Sequence, residues 1–513
     1  MAYKGLQDFI STLEKKGELR RIKAEVDPHL EITEIASRIM EKGGPALLFE
    51  KVKGSPYPLA INLLGSEKRM ALALNTQNLD EKAKDIEDFI KLAKSFAADF
   101  NLFKAAPQAL PKIPEVYSLI PKRITHAPCQ EVIEDVEDAA AVVGAGFKPA
   151  PTTALGGFSS LPVLTCWPED GGPFLTLPLV CTESLPTENG NKMRNIGMYR
   201  MQVYDNATSG MHWHLHKDGA HFFQDYKKKA EEVGNLRMPV CVALGCDPAL
   251  IYASTAPLPE GIWEMAFAGF LRGKRPLVTK ATLSDILVPA DAEFILEGYV
   301  DPAESRLEGP FGDHTGFYSL ADDYPVFHLQ RITRRKNPVY PATVVGRPPK
   351  EDCWMARATE RLFLPLLKMI CPDIVDLSLP FEGVFHNCAI VSIDKRYPGQ
   401  ARKVMHFCWG MGQMMYTKCI IVVDKEVDPS NYSDVAWRAF NNVDGKRDIE
   451  LNEGPLDALD HSSPIPRYGT RIGIDATRKG PDEGHMREWP NALKMDDDIV
   501  SLVNRRWAEY GIE

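Results

Sequence analysis

Between residues 162 and 345 the chain breaks into short apolar runs separated by frequent Gly and Pro. "GMYRMQVY", "MPVCVALG", "AEFILEGYV" and "PVFHLQRI" each read as a strand. Many short strands with turn residues between them restrict this segment to a β-rich unit, which a closed or split β-barrel would organise. The flanks follow another rule. Leu6, Phe9, Ile10 and Leu13 stand at helical spacing before Gly17, and Ile32, Ile35, Ile39 and Met40 do so before Gly43-Gly44. "ALLFE" then reads as a short buried strand, and residues 80–98 as a further amphipathic helix. The first ~110 residues therefore form a small α/β unit by periodicity. From 380 to 480, "NCAIVSID", a helical 398–416, "CIIVVD" and a helical 430–441 predict a βαβ unit on a parallel sheet. A last helix spans roughly 495–509. Proline-rich 105–125 reads as a linker, and "VVGAGFKPAPTTALGGFSSLP" (142–162) as a surface loop or insertion. Its Gly-Ala-Gly is a weak dinucleotide signal, because Pro149 and Pro151 stop any helix after it.

At 513 residues the chain exceeds one ordinary core, and two to four domains are expected. A formal net charge of −10 gives no bulk attraction for nucleic acid, so that partner class is set aside. No run of 18 apolar residues occurs, so no membrane span is expected, and "MAYKGLQDFI" has no signal-peptide core. The ten cysteines are scattered without a C-x-x-C, the nearest pair being Cys241 and Cys246. Reduced thiols in a cytoplasmic enzyme fit that usage better than disulfides or a zinc ribbon.

Four stretches carry candidate chemistry. In "MHWHLHKDGAHF" (211–222), His212, His214 and His216 alternate, and on a strand all three would share one face. Such a face suits a transition metal, or is an exposed face that happens to be rich in histidine. In "NIGMYR" (195–200), Arg200 is a fixed cation with a fork for a carboxylate or phosphate, or a surface strand arginine. Asn195 and Arg200 are an odd number apart, so a regular strand points them to opposite faces unless Gly197 supplies a bulge. In "GIWEMAFAGFLRG" (261–273), Glu264 sits among large apolar residues, where a buried carboxylate needs a partner or a metal; a wet helix face is the alternative. In "LEGPFGDHTGFY" (307–318), Gly309-Pro310-Phe311-Gly312 disfavours both helix and strand. The resulting tight loop would bring Glu308 and Asp313 to one cavity, where mutual repulsion raises one pKa and makes a proton donor. A solvated acidic turn is the plainer alternative. No Walker loop, G-x-S-x-G elbow or H-E-x-x-H motif occurs. The residues alone point to an enzyme acting on a carboxylate or phosphate compound, with a metal hydrolase built on the three histidines as a competing reading.

These stretches, in this order, resemble the UbiD family of decarboxylases, and within it the bacterial 3-polyprenyl-4-hydroxybenzoate carboxy-lyases of ubiquinone synthesis. "GELRRIKAEVDPHLEITEIASR", "GGPALLFE", "LPVLTCWPED", "FAGFLRG", "ILEGYV", "EGPFGDHTGFY", "GRPP", "MYTK" and "REWP" carry the resemblance across nearly the whole chain. It implies an α+β (mixed α/β) protein: an N-terminal α/β domain (1–120), a central split β-barrel that binds flavin (121–335), a C-terminal α/β domain (336–480), and a linker with a docking helix (481–513). It implies prenylated FMN made by a partner flavin prenyltransferase, Mn2+, and in some members K+. It implies an aromatic carboxylic acid as substrate, CO2 as product, and a homodimer or homohexamer. A prenylated hydroxynaphthoate of menaquinone synthesis and an unprenylated aromatic acid are alternative substrates. A non-catalytic subunit of a multi-subunit carboxylase is a further alternative, against which the intact Arg200, Glu308 and Asp313 argue. A prenylated substrate would draw the enzyme to the inner face of a membrane.

Position by position, Asn195, His216 and Glu264 resemble the family's metal ligands. Met198, Tyr199, Arg200, His212, Trp213, His214, Lys217 and Asp218 match segments that contact the cofactor. Arg200, Glu308 and Asp313 match the catalytic arginine and two acids, and Lys418 in "MYTK" is a candidate phosphate contact. Two departures bear on substrate choice: residues 137–160 are longer and richer in Gly, Ala and Pro than in close relatives, and His212 stands where a relative has Arg.

Overall fold

The computed structural model describes residues 2–98, 113–136, 156–213, 218–234, 236–259 and 261–512. The predicted first helix is Leu6–Lys15, and the residues at helical spacing (Leu6, Phe9, Ile10, Leu13) are the ones it buries. Gly17 follows at φ +73°, a conformation that ends the helix. Strands Leu19–Val26 and Ala46–Val52 then pair in parallel, connected by the helix Glu31–Glu41. Leu59–Ile61 adds an antiparallel neighbour. The fourth strand of this sheet comes from far along the chain: Tyr340–Ala342 pairs in parallel with Leu59–Ile61.

The β-rich segment forms a seven-stranded antiparallel sheet. Its order is Thr208–Gly210, Asp322–Arg334, Phe294–Glu308, Met238–Leu244, Leu179–Glu183, Arg194–Met198, with Val132–Asp135 also on Asp322–Arg334. Phe294–Glu308 and Asp322–Arg334 form its long central hairpin, with register shifts after Glu297 and Val300. The C-terminal sheet runs Ile374–Ser378, Cys388–Ile393, Cys419–Asp424, Tyr468–Asp475, Ile449–Pro455. Cys388–Ile393 and Cys419–Asp424 are parallel with Gln400–Trp409 between them, the predicted βαβ unit. The fold is thus mixed α/β, as expected. The last helix is Asp497–Arg506, and none of its residues is buried.

Two local expectations are corrected and one is left outside the described residues. The supposed linker at 105–125 contains a helix, Ile113–Ser118, and a strand, Lys122–Arg123, that pairs in parallel with Leu277–Lys280; its residues up to 112 lie outside the described ones. The strand face expected for His212, His214 and His216 is not tested: His212 is in no strand, His214 and His216 lie outside the described residues, and the helix Asp218–Val233 begins after them. No bulge forms at Gly197: the pairing of Leu179–Glu183 with Arg194–Met198 runs without a shift. The strand instead ends at Met198, and Met201–Gln202 joins a different strand, Phe174–Leu175. Asn195 and Arg200 therefore belong to different elements, and parity along one strand does not govern them. Of the predicted 137–160 insertion, residues 137–155 lie outside the described ones; Phe158–Ser160 forms a short 3-10 turn with Phe158 buried.

Candidate active site

Glu308 is the last residue of the long strand Phe294–Glu308, and Phe311–Gly312, inside the Gly-Pro-Phe-Gly stretch, is itself a short strand, so the stretch does not exclude strand. Gly309 turns the chain at φ +97°, a conformation costly for any side-chain-bearing residue, and its N–H donates to Gln202 Oε1 at 2.7 Å. Phe311–Gly312 then pairs back with Tyr318–Ser319, and Asp313 begins the turn between them. Asp170 fastens this hairpin, accepting the Gly312 N–H at 2.7 Å on one oxygen and the Cys166 and Trp167 N–H groups on the other.

Arg200, in the break between its two strands, reaches into the hairpin. Its Nε donates to Glu308 Oε1 at 3.2 Å, one terminal nitrogen to Asp313 Oδ2, and the other to Ser319 Oγ at 3.0 Å. The Phe311 ring lies beneath the guanidinium, 4.5 Å from centroid to Cζ. All three charged side chains are buried or nearly so, at 11%, 0% and 9% exposure for Arg200, Glu308 and Asp313. His212 Nδ1 is 2.7 Å from Glu308 Oε1, with its ring 4.3 Å from that of Tyr324. Glu308 Oε2 is buried with no hydrogen-bond partner among the described residues.

The acids do not behave as a repelling pair. Burial alone would raise Asp313, but the hydrogen bond and charge of His314, together with Arg200, outweigh it and hold the carboxyl well below the usual range. Repulsion between the acids, the expected source of a raised pKa, is countered by the cation that stands between them. Burial pushes His212 down despite its carboxylate partner, so the imidazole is neutral near pH 7 and can donate its Nδ1 proton to Glu308.

A second polar cluster lies at the end of the strand Arg194–Met198. Asn195 Nδ2 donates to Glu264 Oε1 at 2.9 Å and the Ile196 N–H to Glu264 Oε2 at 2.7 Å. Glu264 opens the helix Glu264–Arg272 and is buried, not on a wet face. Asn195 Oδ1 is buried with no hydrogen-bond partner among the described residues. A buried oxygen acceptor left open beside a carboxylate suits a hard divalent cation. His216, the third expected ligand, lies outside the described residues, as do His214 and Lys217, and the Asp218 side chain is likewise not described. Among the described residues no group of three or more His, Cys, Asp or Glu is arranged to hold a metal, and His212 is engaged with Glu308. Of the expected cofactor contacts, Met198 is half-buried and Tyr199 and Trp213 are buried. Trp213 Nε1 is a buried donor with no acceptor among the described residues, which suits a polar ligand atom. Lys418 does not point to a free phosphate site: its ammonium is held by Asp460 at 2.8 Å and by Ser462.

Sequence reasoning missed Asp170, Gln202 and Ser319, which hold the hairpin and the guanidinium. Asp170 precedes Gly171-Gly172, a turn signal that marks a loop and not its partner.

Three family models cover most of the chain. They describe the N-terminal domain (residues 10–90), the Rift-related domain (151–348) and the C-terminal domain (353–476) of 3-octaprenyl-4-hydroxybenzoate carboxy-lyase. An uncharacterized protein of Archaeoglobus fulgidus is 47% identical over 510 residues, covering 99% of both chains. One of Aquifex aeolicus is 40% identical over 518 residues, covering 100% of this chain and 99% of the other. Among solved structures, the vanillic acid decarboxylase of Sedimentibacter hydroxybenzoicus in closed form matches with TM-score 0.81 at 26% identity, over 100% of both chains. The UbiD-class enzyme HmfF of Pelotomaculum thermopropionicum, in complex with FMN, matches in fold with TM-score 0.75 at 24% identity, over 98% of this chain and 99% of that one.

Proposed function

The chain belongs to the UbiD family of carboxy-lyases, and we propose that it removes carbon dioxide from a ring-hydroxylated aromatic acid, foremost 3-polyprenyl-4-hydroxybenzoate of ubiquinone synthesis, using prenylated FMN. One observation carries the reading: a single buried guanidinium, Arg200, spans Glu308, Asp313 and Ser319. A planar fork of this kind is made to hold a carboxylate.

Loss of carbon dioxide from an aryl carbon leaves an in-plane electron pair that no side chain can accept. Prenylated FMN, when bound, supplies the electron sink. The protein's own residues hold the substrate and handle the proton. Arg200 orients the carboxylate, and such positioning contributes up to ~7–11 kcal/mol. A substrate carboxylate on Arg200 competes with Asp313 for the same guanidinium. Asp313 then loses one of the influences that keep it ionised, and it gains proton affinity at the step that needs a donor. Glu308, with Oε2 open, is the second acid of the site. Asn195 and Glu264, with His216, would hold Mn2+, and a K+ ion would sit near the cofactor phosphate. A partner flavin prenyltransferase would supply the cofactor to a homodimer or homohexamer. A long isoprenoid tail needs apolar surface, and Leu307, Phe317 and Leu320 stand exposed on the same hairpin segment as the acids. That substrate would bring an otherwise cytoplasmic enzyme to the membrane face.

Co-production with a flavin prenyltransferase, purification without oxygen, and measurement of the absorption spectrum and bound mass test the cofactor. Carbon dioxide release from 3-polyprenyl-4-hydroxybenzoate, 4-hydroxybenzoate and 1,4-dihydroxy-2-naphthoate tests the substrate. A modified flavin with release from the first acid is expected. Bound zinc with no flavin would overturn the reading in favour of a metal hydrolase.

A further inference from the structure

Decarboxylation of an ionised acid consumes one proton per turnover, because the carbon that loses carbon dioxide gains hydrogen. Glu308 and Asp313 are both buried, so a proton spent there has to be replaced from outside. We propose that His314 and His386 form the path by which that proton reaches Asp313, an inference that rests on the decarboxylase reading above.

The geometry is a continuous chain of ring nitrogens. His314 Nδ1 and its backbone N–H both meet Asp313 Oδ1 at 2.8 Å. The other ring nitrogen, Nε2, lies 2.9 Å from His386 Nε2. Two facing nitrogens at that distance share one proton, so one is donor and the other acceptor. His386 Nδ1 is buried and has no hydrogen-bond partner among the described residues, so the outer end of the chain is a vacant ring nitrogen without direct contact to bulk solvent. The backbone makes a special arrangement to deliver this ring. Val384 and Phe385, immediately before it, take φ +45° and +50°, a left-handed conformation that β-branched and bulky residues rarely adopt. Strain of this kind collects where function requires a fixed placement. Phe385 stacks on His314 at 5.3 Å and fixes the ring plane.

The electrostatics favour a stored proton on the inner ring. Burial works to lower His314, but its hydrogen bond to Asp313 and the charges of Asp313, Asp352 and Asp457 raise it above its usual value. His386 is lowered to about 4, by burial first and by the charge of His314 second, against the opposing carboxylates of Asp457, Asp313 and Asp460. Arg200 is the cation on the far side of Asp313.

The transfer balances as follows. In the unloaded state His314 is neutral with its proton on Nδ1, and His386 Nε2 donates to His314 Nε2. A proton carried by a water molecule that enters to the buried His386 Nδ1 adds there as the Nε2 proton of His386 passes to His314. His314 is then doubly protonated, the form that its carboxylate neighbours favour. It yields its Nδ1 proton to Asp313, which passes a proton to the substrate carbon. Exchange of tautomer at both His314 and His386 restores the start. One proton enters, one leaves on carbon, and no electrons are transferred. Asp313 is the catalytic residue; His314 and His386 act through it as positioning and supply residues.

The test uses holoenzyme with whichever of the three acids above the wild type decarboxylates, and reads kcat and KM against pH. His386→Gln should lower kcat about 10- to 100-fold with KM and flavin loading unchanged. His386→Ala should recover part of the loss when imidazole is added to the buffer, which a structural role would not produce. Ring-nitrogen NMR should show His314 titrating above its usual value and falling in Asp313→Asn. Wild-type kcat and pH profile in His386→Gln would overturn the relay while leaving the decarboxylase reading intact. So would loss of activity without imidazole rescue, or a His314 titration indifferent to Asp313. A wild type that decarboxylates none of the acids overturns the functional reading, and the relay with it, before any variant is made.

Discussion

His212 Nδ1 and Glu308 Oε1 stand 2.7 Å apart, with both side chains buried. The neutral imidazole fixes one carboxylate oxygen and leaves the other open beside Gly210, where a Cβ would come within 2.7 Å of Glu308 Oε2. That oxygen is buried and has no hydrogen-bond partner among the described residues.

Glu308→Gln keeps the shape and the contact to His212 but removes the acid. Flavin spectrum and stoichiometry should match wild type, and carbon dioxide release should fall about 10²–10⁴-fold. Normal turnover in this variant would remove Glu308 from the chemistry.

Gly210→Ala tests placement without changing any polar group. The added methyl forces Glu308 aside, and a displacement of about 1 Å costs on the order of 10²-fold in kcat. Thermal unfolding should stay near wild type while kcat drops; unchanged kcat would show that the Glu308 position is not critical.

Arg200→Ala leaves Glu308 and Asp313 facing each other without the cation between them. Breaking a buried ion pair by deleting one partner destabilises by about 3–5 kcal/mol. Denaturant unfolding at pH 7 should report that loss, and acidification should recover part of it by protonating a carboxylate.

The Asp313–His314 contact sets a pH window. The folded-state pKa of His314 is raised, so its contribution is complete below the unfolded value near 6.5 and fades as pH rises through the folded one. The folded-state pKa of Asp313 is lowered, so its contribution is present above about 3.9 and fades as pH falls. The stability difference between wild type and His314→Asn should therefore be largest near pH 5–6 and shrink toward pH 9. A difference flat across that range contradicts an ionised contact.

Asn195→Leu removes the open buried oxygen beside Glu264. Metal analysis after purification with manganese should show reduced occupancy, with the secondary structure unchanged by circular dichroism. Equal manganese in the variant and wild type would take Asn195 out of the ligand set.

Elements whose burial follows local spacing were legible in the chain: the face Leu6, Phe9, Ile10, Leu13, and the paired strands Cys388–Ile393 and Cys419–Asp424. Glu308 and Asp313 were legible as two acids around a tight turn, and Arg200 as an anion fork. The network around them was not, because half of its partners come from elsewhere: Arg200 from 108 residues upstream of Glu308 and His386 from 72 beyond His314, although His314, which does most to hold Asp313 ionised, is its neighbour in the chain. The alternating histidines stay unplaced as a set, since His214 and His216 lie outside the described residues and the helix begins only after them, at Asp218. Strand parity misled for Asn195 and Arg200, since the strand stops between them.

The pairing of Tyr340–Ala342 with Leu59–Ile61 sets a timetable for synthesis. When Ile61 leaves the ribosome its outer edge has no neighbour, and that neighbour lies roughly 280 positions on. At about 5–20 residues per second, the edge stays uncovered for roughly 15–60 s. The first unit made is thus among the last to close. During that interval a nascent chain carries an open template for strand addition.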